Sequence, residues 1–306
     1  MKALDETSWD GTAAALELFT LSDWIRACAS ALAASGSVFG QGTSNALEEA
    51  RWLVLGSLKL PLDLDHSFDQ ARLLPHERQM LVRRITSRVV DRRPTAYILG
   101  EAWLMGLRFR SDPRAIIPRS YLAELLQDEI FGLDHPPARI LDLCTGSGCL
   151  AIQAGLRWPE AQVVASDLSP EALSLAKENV IDYGLEAQID LRCSDLFEGF
   201  EPDERFDLIL CNPPYVPMAK VRALPPEFLA EPELALGSGE DGMTFIRRLL
   251  SELPLRLSEG GVLLCEVGFE QSTCETLFEQ EFPHLHPIWL EVSQAQGAVF
   301  SLGVSP

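Results

Sequence analysis

The sequence predicts an α/β protein: a mainly parallel, doubly wound sheet of seven strands, preceded by a small all-α domain and a connecting β-hairpin. Two observations favour this fold class. Short apolar segments of strand length alternate with helical segments after residue 139, which is typical of βαβ units. Residues 1–93 instead carry apolar side chains at helical spacing. With 306 residues, the chain has room for two domains.

Residues 1–93 are predicted to form a helical domain. Thr20 and Asp23 have the spacing of a capping box at the start of one helix, and Asn45 is placed to cap a second one. A third helix is predicted over residues 75–91, where apolar residues recur at intervals of four. Three short helices with a modest core are typical of a small all-α domain.

The second domain is predicted to span residues 119–306, after a β-hairpin linker over residues 94–118. In the linker, short apolar runs are separated by glycines, as in a hairpin, and the first run is residues 96–99. In doubly wound sheets, ligands bind outside the carboxyl ends of the strands, where the strand order reverses. The predicted strands of the second domain are residues 139–143, 162–166, 187–192, 206–211, 261–266, 286–291 and 298–302.

The net charge of −20 is carried entirely by the second domain. Residues 1–118 contain 14 basic and 14 acidic residues, whereas residues 119–306 contain 11 basic and 31 acidic ones. An acidic surface repels phosphate backbones, so we expect no direct binding of nucleic acid. It attracts a basic partner or a cationic ligand, although solubility alone is an equally good interpretation of this charge.

The composition argues against several classes of protein. No stretch approaches the ~20 consecutive apolar residues of a membrane helix, and the acidic N-terminus lacks the pattern of a secretory signal. We therefore expect a cytoplasmic protein without a membrane partner. The seven cysteines are scattered and form no CxxC pair, which argues against a disulfide framework. The histidines do not cluster with them, so we expect no metal site.

A glycine-rich turn follows the first strand of the second domain. Its glycines permit positive φ and a close approach of the backbone to a ligand. The turn lacks the third glycine of the dinucleotide fingerprint and the GKS or GKT of a P-loop. On its own, such a turn is compatible with a dinucleotide, a phosphate or no ligand. The candidate residues here are Asp142, Cys144, Thr145, Gly146, Ser147 and Gly148.

Two carboxylates follow the next two strands. Asp167 lies about twenty residues after the glycine-rich turn, where an acidic side chain can accept both hydroxyls of a ribose. Asp195 can accept a hydrogen bond from an adenine amino group, and Leu196 can flank the ring. A helix cap is the alternative role for Asp195. Because these residues follow strand ends on the same side as the glycine-rich turn, together they predict an adenosine-shaped pocket.

Asn212, Pro213, Pro214 and Tyr215 follow the fourth strand. An amide nitrogen is a weak nucleophile because its lone pair is delocalised. The Asn212 side-chain oxygen and the Pro213 carbonyl can each accept one N–H of an –NH2 group, so that the nitrogen aims its lone pair at an electrophilic methyl. Proline holds that carbonyl rigidly and adds no donor, and Tyr215 offers a face for a planar group. An ordinary turn is the structural alternative.

Taken together, D-x-C-T-G-S-G, the two carboxylates and N-P-P-Y resemble the class I S-adenosyl-methionine-dependent methyltransferases that methylate planar –NH2 nitrogens. Residues 92–120, 231–236 and 238–242 further resemble the glutamine-amide methyltransferases of that class. The resemblance implies a Rossmann-like catalytic domain over residues 119–306 and S-adenosyl-methionine as the cofactor. It also implies that the helical domain selects a substrate protein.

The resemblance also implies the roles of the site residues. The implied catalytic residues are Asn212, Pro213, Pro214 and Tyr215, of which Asn212, Pro213 and Tyr215 bind substrate together with Arg119. Capping a strand is an equally good role for Arg119. The residues implied to bind the cofactor are Asp142, Cys144, Thr145, Gly146, Ser147, Gly148, Asp167, Asp195, Leu196 and Asn212.

Two subfamilies compete for the resemblance. The release-factor enzymes carry I-P-R-P-D-T-E and D-L-G-T-G-T-G, whereas this chain has I-P-R-S-Y and D-L-C-T-G-S-G-C. Together with residues 39–45 and 58–62, these segments are more similar to the enzymes that modify the third protein of the large ribosomal subunit. We therefore predict methyl transfer to the N5 amide nitrogen of a glutamine in that basic protein. A release factor is the alternative substrate. An adenine-amino DNA or RNA methyltransferase, a nicotinamide-dependent oxidoreductase and a non-catalytic adenosyl-binding module are less favoured.

Overall fold

The computed structural model describes residues 9–127, 133, 135–292 and 298–303. Residues 1–8, on which we based the absence of a secretory signal, lie outside the described residues. The chain divides into two compact units. The helical unit comprises Met1–Ala102 and Pro225–Ala230, and the sheet unit comprises Trp103–Leu224 and Glu231–Pro306.

The three predicted helices of the helical unit are confirmed. Thr20 and Asp23 form the capping box, and the Asn45 side chain accepts hydrogen bonds from two backbone N–H groups. The structure adds a helix that the sequence reasoning missed, which Asp10 caps. Trp24, among other side chains, is fully buried in this unit. The helices of the unit are α1 (Gly11–Glu17), α2 (Leu21–Ala34), α3 (Ala46–Ser57), α4 (Pro75–Val89), α5 (Thr95–Leu99) and, further along the chain, α10 (Pro226–Leu229).

Residues 96–99 are helical, so the prediction of an extended run there is wrong. They belong to α5, which ends at Gly100 in the left-handed region with φ of 75°. The helix packs on α3: a Cβ added to Gly56 would lie 2.7 Å from a Leu99 methyl carbon. A run of four apolar residues does not by itself distinguish helix from strand, and here packing decides. The hairpin is shorter than predicted and consists of β1 (Glu101–Leu104) and β2 (Leu107–Arg110).

The two units do not follow the predicted boundaries of 1–93, 94–118 and 119–306. Most of the predicted linker belongs to the sheet unit, where the backbone N–H of Arg110 donates to Asn179 Oδ1 at 2.7 Å. Six residues from within the predicted second domain, 225–230, belong to the helical unit. The buried Glu227 side chain accepts hydrogen bonds there from Arg88 Nη1 (2.9 Å) and Arg92 Nε (2.7 Å). These contacts between distant residues have no signature in local sequence.

Seven strands form a single sheet within the described residues, which confirms the predicted α/β class. Their order is β5-β4-β3-β6-β7-β9-β8. The first five of these are parallel, and β9 is antiparallel to both of its neighbours. The strands are β3 (Arg139–Leu143), β4 (Gln162–Asp167), β5 (Ile189–Cys193), β6 (Phe206–Cys211), β7 (Leu257–Gly268), β8 (Ile288–Leu290) and β9 (Ala298–Gly303).

Both faces of the sheet are buried at its central strands β3 and β6. Alternate residues of β3 enter two different apolar clusters, Leu141 one and Ile140 the other, and Ile209 and Leu208 of β6 divide in the same way. This period of two is the geometry of a strand covered on both sides. The helices of this unit are α6 (Leu122–Leu125), α7 (Cys149–Arg157), α8 (Pro170–Tyr183), α9 (Met218–Val221), α11 (Thr244–Glu252) and α12 (Gln271–Glu281).

The strand order reverses between β3 and β6. From β3 the chain builds outward through β4 to β5, and it then returns to place β6 on the other side of β3. A crevice forms at the carboxyl ends of the strands at such a point, because the connections leave in opposite directions. The glycine-rich turn follows β3 and N-P-P-Y follows β6, so both motifs lie at this edge.

Candidate active site

A cavity of about 350 Å³ lies at the carboxyl ends of β3 to β6. Its volume falls within the range of small-molecule sites, roughly 300–1,000 Å³. Several residues that the sequence predicted as cofactor-binding line it together. These are Cys144, Gly146, Asp167, Asp195, Leu196 and Asn212, and Pro214 lies in the wall beside them.

Asp167 holds the glycine-rich turn. Its Oδ2 accepts a hydrogen bond from Gly146 N at 2.9 Å, and its Oδ1 accepts one from Ser169 N at 2.9 Å. Burial raises the pKa of this carboxyl group. Gly146 has φ of 57° and Cys144 has φ of 58°. The backbone of the turn therefore takes left-handed conformations that bring it against the cavity, as the sequence suggested for its glycines.

Asp142, Thr145, Ser147 and Gly148 do not line the cavity, although the sequence placed them in the same cofactor site. The Asp142 carboxyl group is fully buried, and its Oδ2 accepts hydrogen bonds from Thr145 Oγ1 (2.6 Å) and Ala151 N (2.9 Å). Desolvation raises its pKa to about 7. Asp142 and Thr145 thus support the turn from the protein interior, and contact of the four residues with a cofactor stays a prediction.

Asp195 and Leu196, which follow β5, also line the cavity. Asp195 Oδ1 accepts a hydrogen bond from Arg248 Nη1 at 2.8 Å, a partner from α11 that the sequence reasoning missed. Leu196 is buried although its φ is 51°, a conformation that is uncommon for a residue with a side chain. Pro232 and Leu234 add apolar surface to the wall. They lie in the segment 231–236, whose resemblance to a family motif was the available signal.

Asn212, the first residue of N-P-P-Y, is held by the backbone of Arg119. Asn212 is half-buried, and its Nδ2 donates to the carbonyl oxygen of Arg119 at 3.3 Å. Within the described part of the protein, the Asn212 side chain makes this one hydrogen bond. The Oδ1 atom of the same side chain accepts no hydrogen bond there, and Asn212 lines the cavity. Pro213 is buried and contributes no N–H.

Tyr215 is fixed at its hydroxyl and by close packing. The hydroxyl donates to Glu266 Oε1 at 3.2 Å, and burial raises the pKa of the phenol well above its usual value. Two glycines make room for the residue. A Cβ at Gly242 would lie 2.2 Å from the Tyr215 carbonyl oxygen, and one at Gly268 would lie 2.7 Å from its ring.

The guanidinium of Arg119 is paired with Glu231 inside the protein. Arg119 Nη2 donates to Glu231 Oε2 at 2.7 Å, and Nη1 donates to Oε1 of the same residue. Glu231 is buried and also accepts from Ile117 N at 3.1 Å. The sequence predicted Arg119 as substrate-binding. The structure shows its carbonyl oxygen accepting from Asn212 Nδ2 and its side chain in a bidentate ion pair with Glu231, and contact with a substrate stays a prediction.

The described residues include neither a membrane-spanning helix nor a metal-binding group of side chains. No helix among them is long and apolar enough to cross a membrane. Across the same residues, no group of three or more His, Cys, Asp or Glu side chains is arranged to hold a metal ion.

Comparisons with known proteins agree with this fold. The methyltransferase small domain family matches residues 121–251. Among solved structures, the hMettl16 catalytic domain in complex with MAT2A 3'UTR hairpin 6 has a TM-score of 0.51 at 18% identity, with 75% of this chain and 81% of that chain covered. This likeness shows the fold alone. The fold and the site thus define an S-adenosyl-methionine-dependent methyltransferase.

Relatives that share most of the chain identify the family. The ribosomal protein uL3 glutamine methyltransferase of Bordetella pertussis is 46% identical over 289 residues, which are 94% of this chain and 95% of the relative. The enzyme of the same name from Neisseria gonorrhoeae is 44% identical over 94% of this chain and 96% of its own. The chain belongs to the family of ribosomal protein uL3 glutamine methyltransferases, which confirms the predicted resemblance and enzyme class.

The residues of the cavity fit the cofactor of this family, S-adenosyl-methionine. The wall offers the carboxylate oxygens of Asp167 and Asp195 as acceptors, and Leu196 and Leu234 as apolar surface. Acceptors beside apolar walls match the hydroxyls, the amino group and the flat ring of an adenosine. The acidic side chains also suit a ligand with a positive sulfonium.

Proposed function

We propose that this protein transfers a methyl group from S-adenosyl-methionine to the N5 side-chain amide nitrogen of a glutamine in ribosomal protein uL3. The observation that carries the proposal is the position of N-P-P-Y. Asn212 and Pro214 form part of the cavity wall, and Tyr215 follows them at the end of β6. An amide acceptor is therefore brought beside the donor. The substrate named for the relatives supplies the particular protein.

The side chains of this protein supply orientation rather than strong acid or base catalysis. The Asn212 Oδ1 and the Pro213 carbonyl each accept one N–H of the glutamine amide, which turns the nitrogen lone pair out of conjugation. Tyr215 packs on the planar amide. Bound S-adenosyl-methionine supplies an electrophilic methyl on its sulfonium. Because that methyl is already reactive, fixing the nitrogen in line with it provides most of the rate enhancement.

We assign the cofactor contacts by the chemistry of the wall. Asp167 accepts the ribose hydroxyls, Asp195 accepts the adenine amino group, and Leu196 flanks the ring. The backbone of Cys144 and Gly146 approaches the methionine part. Asp167 and Asp195 retain lone pairs for these roles, because an ionised carboxylate accepts about four hydrogen bonds.

The substrate is proposed to be basic, and the helical unit is proposed to select it. A basic protein suits the acidic sheet unit, where 31 of the 45 acidic residues lie. Direct binding of nucleic acid is disfavoured for the same reason. Because ribosomal proteins are made and assembled in the cytoplasm, a cytoplasmic location belongs to this proposal. A release factor remains the alternative substrate.

Intact-mass spectrometry tests the proposal. The protein is incubated with S-adenosyl-methionine and either purified uL3 or a purified release factor, in separate tubes. We expect a gain of one CH2 in mass on uL3 alone. Gain on the release factor alone would assign the alternative substrate. No gain on either, with the cofactor bound, would favour a nucleic-acid substrate or a non-catalytic role.

The variant Asn212→Ala separates catalysis from binding. It removes one of the two proposed acceptors for the amide, and we expect transfer to fall by about 100-fold or more. Calorimetric titration should show that S-adenosyl-methionine still binds, because Asp167 and Asp195 remain. Full transfer by the variant would contradict the role of Asn212.

A further inference from the structure

Glu266 is a buried carboxylate that the proposed chemistry leaves without a role. It lies near the carboxyl end of β7 and is 4% exposed. Its Oε1 accepts from the Tyr215 hydroxyl at 3.2 Å, and its Oε2 accepts from Ser120 Oγ at 2.7 Å and from Tyr121 N at 2.9 Å. One carboxylate therefore joins β7, the N-P-P-Y segment and the I-P-R-S-Y segment.

The direction of these hydrogen bonds follows from their chemistry. Ser120 Oγ accepts from Leu122 N at 3.2 Å, so its own proton is donated to Glu266. The N–H of Tyr121 can only donate. A carboxylate surrounded by donors accepts all of them, so the Tyr215 hydroxyl also donates. Its proton is committed to Glu266, which leaves the ring face of Tyr215 for a substrate.

The ring of Tyr215 is thus restrained at two places. The hydroxyl is tied to Glu266, and the backbone of Gly268 leaves no space for even a methyl group beside the ring. We propose that Glu266 is a positioning residue for methyl transfer. It holds the Tyr215 ring in the plane against which the glutamine amide packs. This inference deepens the proposed function and rests on it.

A double-mutant cycle tests whether Glu266 acts through Tyr215. Glu266→Ala, Tyr215→Phe and the double variant are compared with wild type by steady-state kinetics on uL3. We expect Glu266→Ala to lower kcat by about tenfold or more, with KM and cofactor affinity within about twofold of wild type. In the Tyr215→Phe background, Glu266→Ala should lower kcat by less than about twofold. Equal losses in both backgrounds, or a loss of thermal stability without a change in kcat, would overturn the inference.

Two further variants test whether the fall in kcat of Glu266→Ala comes from unfolding or from the loss of any nearby negative charge. In Glu266→Gln the side-chain oxygen can accept from Ser120 and Tyr121 while the NH2 group donates to the Tyr215 oxygen, so we expect kcat within about threefold of wild type. A fall in kcat as large as that of Glu266→Ala would overturn the proposal that residue 266 positions the Tyr215 ring through this hydrogen bond. The matched control is Glu270→Gln, which removes a nearby carboxylate that pairs with Lys220. It should leave kcat unchanged; an equal loss would count against a specific role for Glu266.

Fluorine NMR reports on the contact between Glu266 and the Tyr215 hydroxyl without any substrate. The four tyrosines are replaced by 3-fluorotyrosine, and the Tyr215 signal is identified by its absence in Tyr215→Phe. We expect Glu266→Ala to shift or broaden that signal while those of Tyr97 and Tyr183 stay in place. An unmoved Tyr215 signal would refute the tether. If wild type methylates neither candidate protein, the proposed function fails, and this measurement still decides separately whether Glu266 holds the Tyr215 ring.

Discussion

At the scale of the residue, Asp142 shows what burial does to a carboxyl group beside the glycine-rich turn. Its Oδ2 accepts two hydrogen bonds, whereas its buried Oδ1 has no partner among the described residues. Desolvation raises the pKa to about 7, while an unfolded chain gives aspartate about 3.9. Between these two pH values the folded state binds more protons than the unfolded state. The contribution of Asp142 to stability is therefore largest at low pH and is lost as pH rises through 7.

Asp142→Asn should abolish this pH dependence. The asparagine oxygen can still accept from Thr145 and Ala151, but the side chain no longer titrates. We expect the free energy of unfolding of wild type, relative to the variant, to fall by about 1.4 kcal/mol per pH unit as pH rises toward 7. The difference should level off above that pH. Urea unfolding at a series of pH values measures it, and parallel curves for the two proteins would contradict the raised pKa.

The sequence predicted the residues that follow strand ends more successfully than their supports. Asp167, Asp195 and Asn212 meet at one cavity because parallel strands present their carboxyl ends at one edge. The ion pair of Glu231 and the hydrogen bonds of Glu266 went unnoticed, because the partners lie 112 and 146 residues away. An acidic residue that pairs across such a distance looks like any surface charge in the sequence. Packing also decides which residues of the glycine-rich segment line the cavity and which do not.

At the scale of the element, β7 carries two glycines with positive φ in different surroundings. Gly268 has φ of 51° and approaches the Tyr215 ring, whereas Gly260 has φ of 72° and has open space where a Cβ would be. Substitutions at the two glycines therefore distinguish the effect of backbone strain, which both share, from that of a clash with Tyr215, which only Gly268 has. An alanine at either position adopts a left-handed conformation, which costs roughly 1–2 kcal/mol.

We expect Gly260→Ala and Gly268→Ala to lower stability, and Gly268→Ala to lower kcat as well. The added methyl at Gly268 has to displace the Tyr215 ring, because it would lie 2.7 Å from a ring carbon. A fall in kcat of about tenfold is expected there, with Gly260→Ala within about twofold of wild type. Thermal unfolding and steady-state kinetics on uL3 measure the two effects. Equal kcat values for both variants would show that the ring need not be held.

Element type was predictable where a pattern was long or its neighbours were distinctive. The helix α4 and the buried strands β3 and β6 appear where the sequence placed them. The five residues of α5 have no period long enough to read, and contact with Gly56 decides their conformation. The strand β7 begins earlier than predicted, at Leu257, because pairing with Phe206 extends it through a polar stretch.

At the scale of the whole molecule, the chain leaves the sheet unit at residue 225 and returns to it at residue 231. The six residues between are held in the helical unit by Glu227, whose buried carboxylate accepts from Arg88 and Arg92. Arg88 is itself 1% exposed and also pairs with Glu49. Two domains were predictable from the change in hydrophobic period. This short insertion was not, since its signal is a set of charges spread over 178 positions of the chain.

The distribution of charge leads to a prediction about the complete enzyme. The excess of 20 negative charges lies in residues 119–306 and should attract a basic protein substrate over a distance. The Debye length falls from about 30 Å at 0.01 M salt to about 10 Å at 0.1 M. At saturating S-adenosyl-methionine, we expect kcat/KM for uL3 to fall about tenfold over this range, with kcat nearly constant. A short neutral peptide containing the target glutamine is the control, and its kcat/KM should change by less than about twofold. Equal salt dependence for the two substrates would mean that the acidic surface serves solubility rather than recognition.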